Sequence, residues 1–393
     1  LPLHIPLDIE LYDPQGNVIA LKQNGQTVSN VLNVTEAEQT FVFDDVEAPP
    51  VPSLLREFSA PVKLDYKWGD HQLTFLMKHA RNDFARWDAA QSLLAIYIKL
   101  NVARHQQKQP LSLPLHVADA FRAVLLDESI DPGLAAQILT LPTDNEIAEL
   151  FEIIDPEAIS AVHEAITRCL ATEMADEFLA VYNANRLPAY RVVHEDIGKR
   201  TLRNTCLRYL AFADVTLADQ LVKTQFEQAD NMTDSLAAMS AAVSAQLPCR
   251  EALMAAYDER WHHDGLVMDK WFILQATSPA ADVLQKVRSL LNHRSFSMGN
   301  PNRVRSLIGA FASANPSAFH AADGSGYQFL TEMLTDLNTR NPQVAARMIE
   351  PLIRLKRYDA GRQAQMRKAL EQLKGLENLS GDLFEKITKA LDA

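Results

Sequence analysis

Two periods of apolar residues divide the chain. Near its start Leu3, Ile5, Leu7, Ile9 and Leu11 alternate with His4, Pro6, Asp8 and Glu10, the period of a strand with one face buried. Asp13-Pro14-Gln15-Gly16 carries proline at the second position of a turn. Further short strands are expected over 17–21, 28–34 and 40–43, where β-branched and aromatic residues gather. Pro49, Pro50, Pro52 and Pro61 then punctuate an extended segment. The expectation is a small all-β sandwich over residues 1–68. Leu1 stands where a methionine would open a reading frame, inside a strand-like run, which implies a piece of something longer.

From Asp70 the period becomes 3.6 and stays there. Phe84, Trp87, Gln91, Leu94 and Ile98 place a stripe along the first long helix. Asp131-Pro132, Asp155-Pro156 and Ser278-Pro279 read as a capping side chain followed by a proline at the first helical position. Leu141-Pro142, Pro188 and Leu247-Pro248 mark further breaks. No strict repeat emerges, which excludes tetratricopeptide and ankyrin arrays. An irregular α-solenoid of stacked helix pairs over residues 69–393 fits best, and a large globular helical domain is the alternative. The fold class expected is therefore mainly α, preceded by a small β-sandwich.

The densest signal lies between Ser295 and Asp359. Asn300-Pro301, Asn315-Pro316 and Asn341-Pro342 each precede an apolar run of helical period. Val304, Leu307, Ile308 and Phe311 line one face, and Val344, Met348, Leu352 and Leu355 another. Arg303, Arg305, Arg340, Arg347 and Arg354 stand beside these faces.

Composition narrows the function by exclusion. A net charge of −12 over 393 residues argues against a nucleic-acid or anionic-membrane partner. No apolar run approaches the roughly 18 residues of a membrane span; LLAIYIKL, among the longest, is broken by Lys99, and no signal peptide is expected. Cys169, Cys206 and Cys249 are widely spaced in helical runs, and read as buried thiols of a reducing, cytoplasmic compartment.

Candidate chemistry is sparse. A zinc peptidase needs H-E-x-x-H, two histidines one turn apart with a glutamate to activate water. His163-Glu164-Ala165-Ile166 is followed by Thr167, and His194-Glu195-Asp196-Ile197 by Gly198, so neither supplies paired ligands. His262 and His263 are adjacent and diverge on a helix. All four read as helix-surface histidines, and no metal ligand or catalytic residue is expected. Asp323-Gly324-Ser325-Gly326-Tyr327 lacks the lysine of a phosphate loop and reads as a helix start at Tyr327. His320, Asp323 and Ser325 lack the elbow of a nucleophile triad. Met254, Trp261, Met268 and Trp271 read as core. His4 and the Asn33-Val34-Thr35 triplet read as structural.

The strings NPNRVRSLIGAFA, FHAADGSGYQFL and NPQVAARMIEPLIRLKRYD resemble the C-terminal region of the bacterial aminopeptidase N family, zinc aminopeptidases of the gluzincin type. The likeness runs from LPLHIPLDIELYD to LENLSGDLFEKITKAL. It implies the end of a β-sandwich domain and a whole helical C-terminal domain. The N-terminal β domain and the thermolysin-like catalytic domain would be missing, with the H-E-x-x-H helix, a third glutamate ligand and the G-A-M-E-N loop. The parent enzyme would use zinc held in that missing domain to hydrolyse the N-terminal residue of peptides; this chain would carry no cofactor and be inactive alone. In the family the helical domain closes over the catalytic domain and walls an internal cavity. At these motif positions Arg305 and Arg347 would face that cavity and hold a peptide carbonyl or carboxylate, whereas Arg340 and Arg354 read as solvated. The partners implied are the missing domain of the same polypeptide and peptide substrates, in a bacterial cytoplasmic monomer. The competing reading is a free-standing α-solenoid scaffold that binds protein partners on its concave face.

Overall fold

The computed structural model of the chain describes residues 3–392; Leu1, where the strand-like run is expected to open, lies outside them. Strand β1 (Ile5–Tyr12) is the hub of the small β unit. It pairs antiparallel with β2 (Val18–Ile19), β5 (Val31–Val34) and β6 (Val51–Leu54), while β3 (Lys22–Gln23) pairs with β4 (Gln26–Thr27). The alternation works as expected at its centre: Ile9 and Leu11 join Leu21 in a small core. Two expectations differ. Residues 40–43 form no strand, and β6 forms inside the proline-rich segment. Pro52 sits opposite Leu11 there, a position open to proline only where no ladder donor is needed.

The β unit is fastened to the first helices. Tyr12 is fully buried in the main core, its ring meeting Phe75 edge-on with centroids 6.3 Å apart. Its hydroxyl donates to Glu10 (2.5 Å) and accepts from the Arg81 backbone N–H (2.9 Å). Trp68 Nε1 donates to the Pro52 carbonyl at 2.9 Å, tying the connection back to β6.

Helices then succeed one another to the end. The first eight are α1 (Asp70–His79), α2 (Asp83–Gln106), α3 (Leu115–Leu125), α4 (Pro132–Ile138), α5 (Asp144–Ala148), α6 (Pro156–Glu173), α7 (Ala175–Ala184) and α8 (His194–Ala213). Next come α9 (Val215–Gln228), α10 (Met232–Ser244), α11 (Arg250–Trp261), α12 (Gly265–Ala276) and α13 (Val283–Leu290). The last group is α14 (Pro301–Val304), α15 (Ala310–Ala314), α16 (Pro316–Phe319), α17 (Ser325–Arg340), α18 (Pro342–Met348), α19 (Glu350–Ile353), α20 (Ala360–Lys374) and α21 (Gly381–Asp392). Each buries one stripe against its neighbours in one continuous apolar core.

The cap-then-proline reading holds at four of the six steps. Asp131, Asp155, Asn300 and Asn341 each accept from a backbone N–H of the helix they open. Ser278-Pro279 instead lies in the irregular loop before α13. Buried Asn315 opens α16 without capping it, and its amide donates to the Ala276 and Ser278 carbonyls at 3.0 and 2.9 Å. It satisfies the end of α12 rather than the start of its own helix.

The apolar face of Val304, Leu307, Ile308 and Phe311 is fully buried, but residues Arg305–Gly309 wind as a π-helical turn between α14 and α15. Pro351 contributes to breaking the next expected helix into α18 and α19. Met254, Met268 and Trp271 are core, as read. Cys206 and Cys249 are buried and Cys169 half-buried, all as free thiols.

A groove where the array meets itself

The array curls until its first third touches its last. The Arg357 guanidinium donates to the Ala148 and Phe151 carbonyls at 3.1 and 2.9 Å and lies 3.3 Å from Glu149. The Ile154 N–H donates to the Arg357 carbonyl at 2.6 Å. Arg362 pairs with both Glu157 and Asp359, and the Asn145 amide donates to the Ser313 carbonyl at 2.7 Å. Backbone carbonyls at the ends of short helices lack intrahelical partners, so arginines from the far end are a natural complement.

Two adjoining cavities of about 380 and 330 Å³ lie along this seam and share Asp144, Asn145 and Pro316. The larger holds His163, Thr167, Arg208 and Phe212; the other holds Glu149, His320, Arg354 and Tyr358. Local sequence sets these side chains. Thr143 and Glu146 form a reciprocal capping box that starts α5, presenting Asp144 3.7 Å from His163 on α6. Burial pushes the Asp144 carboxyl up, against the pull of His163, and pushes the His163 imidazole down despite Asp144. His163 is therefore neutral at pH 7. Arg208 on α8 donates to Thr140 Oγ1 at 3.1 Å. The groove thus offers a guanidinium, a carboxyl and an imidazole on an apolar floor, a set that suits peptide-like groups.

The arginines read from the sequence are placed as follows. Arg305 is exposed on the π-helical turn, with Nη1 3.2 Å from Asn302 Oδ1. Arg347 is exposed on α18. The two elements touch, since a Cβ built on Gly309 would stand 3.1 Å from Met348 Cε and 3.8 Å from Arg305 Cβ. Neither arginine lines the two cavities of the seam. Arg340 is held by Asp336 at 2.7 Å, and Arg354 reaches Glu149 at 3.7 Å. Arg303 is buried against Asp269, a pairing that the sequence reading missed. Gly265 leaves room for it, since a Cβ there would stand 2.4 Å from the Arg303 guanidinium.

The half-motifs for zinc do not fit that metal's paired-histidine helix. One turn after His163 stands Thr167, whose hydroxyl donates to the His163 carbonyl. One turn after His194 stands Gly198, against Gly133. His163 is a cavity residue, not the surface residue read from sequence. Among the described residues, one group of possible metal donors converges elsewhere, Asp70, His71 and His116, with donor atoms within 4.8 Å of one another. His320 is no triad member: Nδ1 and Nε2 each lie 2.9 Å from a tyrosine hydroxyl, of Tyr327 and Tyr358.

A small Ig-like β unit followed by an irregular helical repeat array defines the class. Residues 70–392 match the family described as "Domain of unknown function (DUF3458_C) ARM repeats", and residues 1–67 match "Domain of unknown function (DUF3458) Ig-like fold". The chain belongs to this family. It is 76% identical over 390 residues to the Aminopeptidase N of Escherichia coli (strain K12), covering 99% of this chain and 45% of that relative. It is 51% identical over 389 residues to the Aminopeptidase N of Haemophilus influenzae, 99% of this chain and 44% of the relative. The crystal structure of Legionella pneumophila aminopeptidase A in complex with aspartic acid superposes with a TM-score of 0.86 at 28% identity, covering 99% of this chain and 45% of that one. The resemblance read from the sequence, to the C-terminal portion of such enzymes, is borne out, as is the mainly α fold with its small β unit. The chain spans less than half the length of these relatives.

Proposed function

We propose that this chain is the C-terminal region of a zinc-dependent aminopeptidase, dividing near residue 68 into a β-sandwich and a helical domain. The catalytic, zinc-binding domain would lie elsewhere in the same polypeptide, and this chain would be inactive without it. The observation that carries the reading is the 76% identity to an aminopeptidase N across 99% of the chain. The curl of the array supports it: a helical shell that meets itself can cap a reaction chamber, admit short peptides and exclude folded proteins. In this reading Arg305 and Arg347, exposed on touching elements, face that chamber and hold a peptide carbonyl or carboxylate. The net charge of −12 disfavours nucleic acid and anionic membrane and weakly favours basic peptides. Among the described residues no helix is long and apolar enough to cross a membrane, and a cytoplasmic monomer is the working assignment.

The test is hydrolysis of alanyl-p-nitroanilide and of a six-residue peptide by this chain and by the product of the full reading frame. The full product should cleave both substrates, and this chain neither. Arg305→Ala and Arg347→Ala in the full product should raise KM for the peptide at least threefold and leave the anilide unchanged. Activity in this chain alone, or a full frame without peptidase activity, overturns the reading; equal KM values dismiss the arginines only.

A further inference from the structure

We propose that Asp70, His71 and His116 form a binding site for one late first-row divalent cation, with zinc as its probe. The inference stands apart from the peptidase reading and revises the sequence expectation of no metal ligand. Asp70 and His71 open α1, and His116 lies in the first turn of α3. His116 Nε2 is 2.9 Å from Asp70 Oδ2, and His71 Nε2 is 3.9 Å from Asp70 Oδ1. The two imidazoles lie side by side with centroids 5.2 Å apart.

These distances suit a shared cation. Zinc–nitrogen and zinc–oxygen bonds of about 2.0–2.2 Å at tetrahedral angles set ligand atoms roughly 3.4 Å apart. The three donors already fall within 4.8 Å of one another. The His71 side chain is 86% exposed and free to swing into the shared position. Two imidazoles with one carboxylate favour zinc, nickel or copper over magnesium or calcium, which prefer all-oxygen shells.

A supporting hydrogen bond is in place. The Tyr97 hydroxyl on α2 donates to Asp70 Oδ2 at 2.7 Å, fixing the carboxylate so that Oδ1 turns toward His71. Outer partners of this kind orient metal-binding carboxylates. The site therefore draws on three helices at the point where the helical array begins, and three protein ligands leave a position for water.

The experiment is calorimetric titration of the metal-free 393-residue chain with zinc chloride. Cys169→Ser is built into every variant to remove the half-buried thiol. We expect one equivalent to bind saturably, with affinity falling at least tenfold in His71→Ala and His116→Ala, and less in Tyr97→Phe. Cobalt at the same site should give visible absorption bands that His71→Ala abolishes. Unchanged stoichiometry and affinity in His71→Ala overturn the proposal, as does a parent chain without saturable uptake. Because His71 is exposed, its variant carries the test even if His116→Ala fails to fold.

Discussion

Acid should loosen the C-terminal helices through one residue, His320. Its ring is 3% exposed and clasped between the hydroxyls of Tyr327 and Tyr358 at 2.9 Å each. A neutral imidazole has one donor and one acceptor, so one tyrosine donates to it and the other accepts. A protonated ring needs two acceptors in a site far from water, with Arg362 donating to its own carbonyl at 2.7 Å. Burial first, and then the Arg362 charge, push the imidazole from 6.5 down to about 3. The unfolded chain therefore takes up a proton near pH 6.5 that the folded chain refuses until about pH 3. Stability contributed by neutral His320 is whole above the unfolded value and declines as pH falls between the two. From pH 7 to pH 5 the loss is about 2 kcal/mol for this group alone. Urea unfolding followed by circular dichroism at pH 7, 6 and 5, on the parent chain and on His320→Gln, isolates it. The variant should begin about 1–3 kcal/mol less stable, having lost a buried hydrogen bond, and should lose about 2 kcal/mol less than the parent on acidification. Parallel pH profiles would refute a buried neutral histidine.

Two more outcomes are set by packing. Asp269→Ala strands the buried Arg303 guanidinium and should cost about 3–5 kcal/mol, whereas replacing both residues by leucine or methionine should recover most of it; urea midpoints of the single and double variants decide. Gly326→Ala would put a Cβ 2.0 Å from the Phe319 carbonyl oxygen, a backbone clash that should cost at least about 3 kcal/mol and show as a lowered thermal midpoint.

Much of the architecture was legible because it is local. The change from period 2 to period 3.6 at Asp70 falls at the first residue of α1. Asp131, Asp155, Asn300 and Asn341 announce helix starts because a capping oxygen beside proline needs no tertiary context. Asn315 shows where that stops: the same dipeptide serves another helix's carbonyls, a demand set by α12. The π-helical turn over Arg305–Gly309 leaves no periodic trace, since the apolar face stays buried through it. Strand β6 was hidden by Pro52, which an edge position tolerates, and by the prolines just before it.

Sites were less legible, and for one reason. Asp144 and His163 meet across 19 positions of sequence, and Asp70 and His116 across 46, so no short motif could join them. Arg357 reads like any of the arginines around it, yet it closes the seam by bonding carbonyls more than 200 positions away. That contact ties the two ends of the curl together. A solenoid whose ends were free would offer an open concave face to a protein partner, as the scaffold reading requires. Here the first and last thirds are joined by the half-buried Arg357, which bonds the Ala148 and Phe151 carbonyls, and by Arg362, which pairs with the more exposed Glu157. The groove's two cavities, of about 380 and 330 Å³, are of a size for a few residues of extended chain. Geometry and identity to the aminopeptidases thus favour the same reading, and they do so by independent routes.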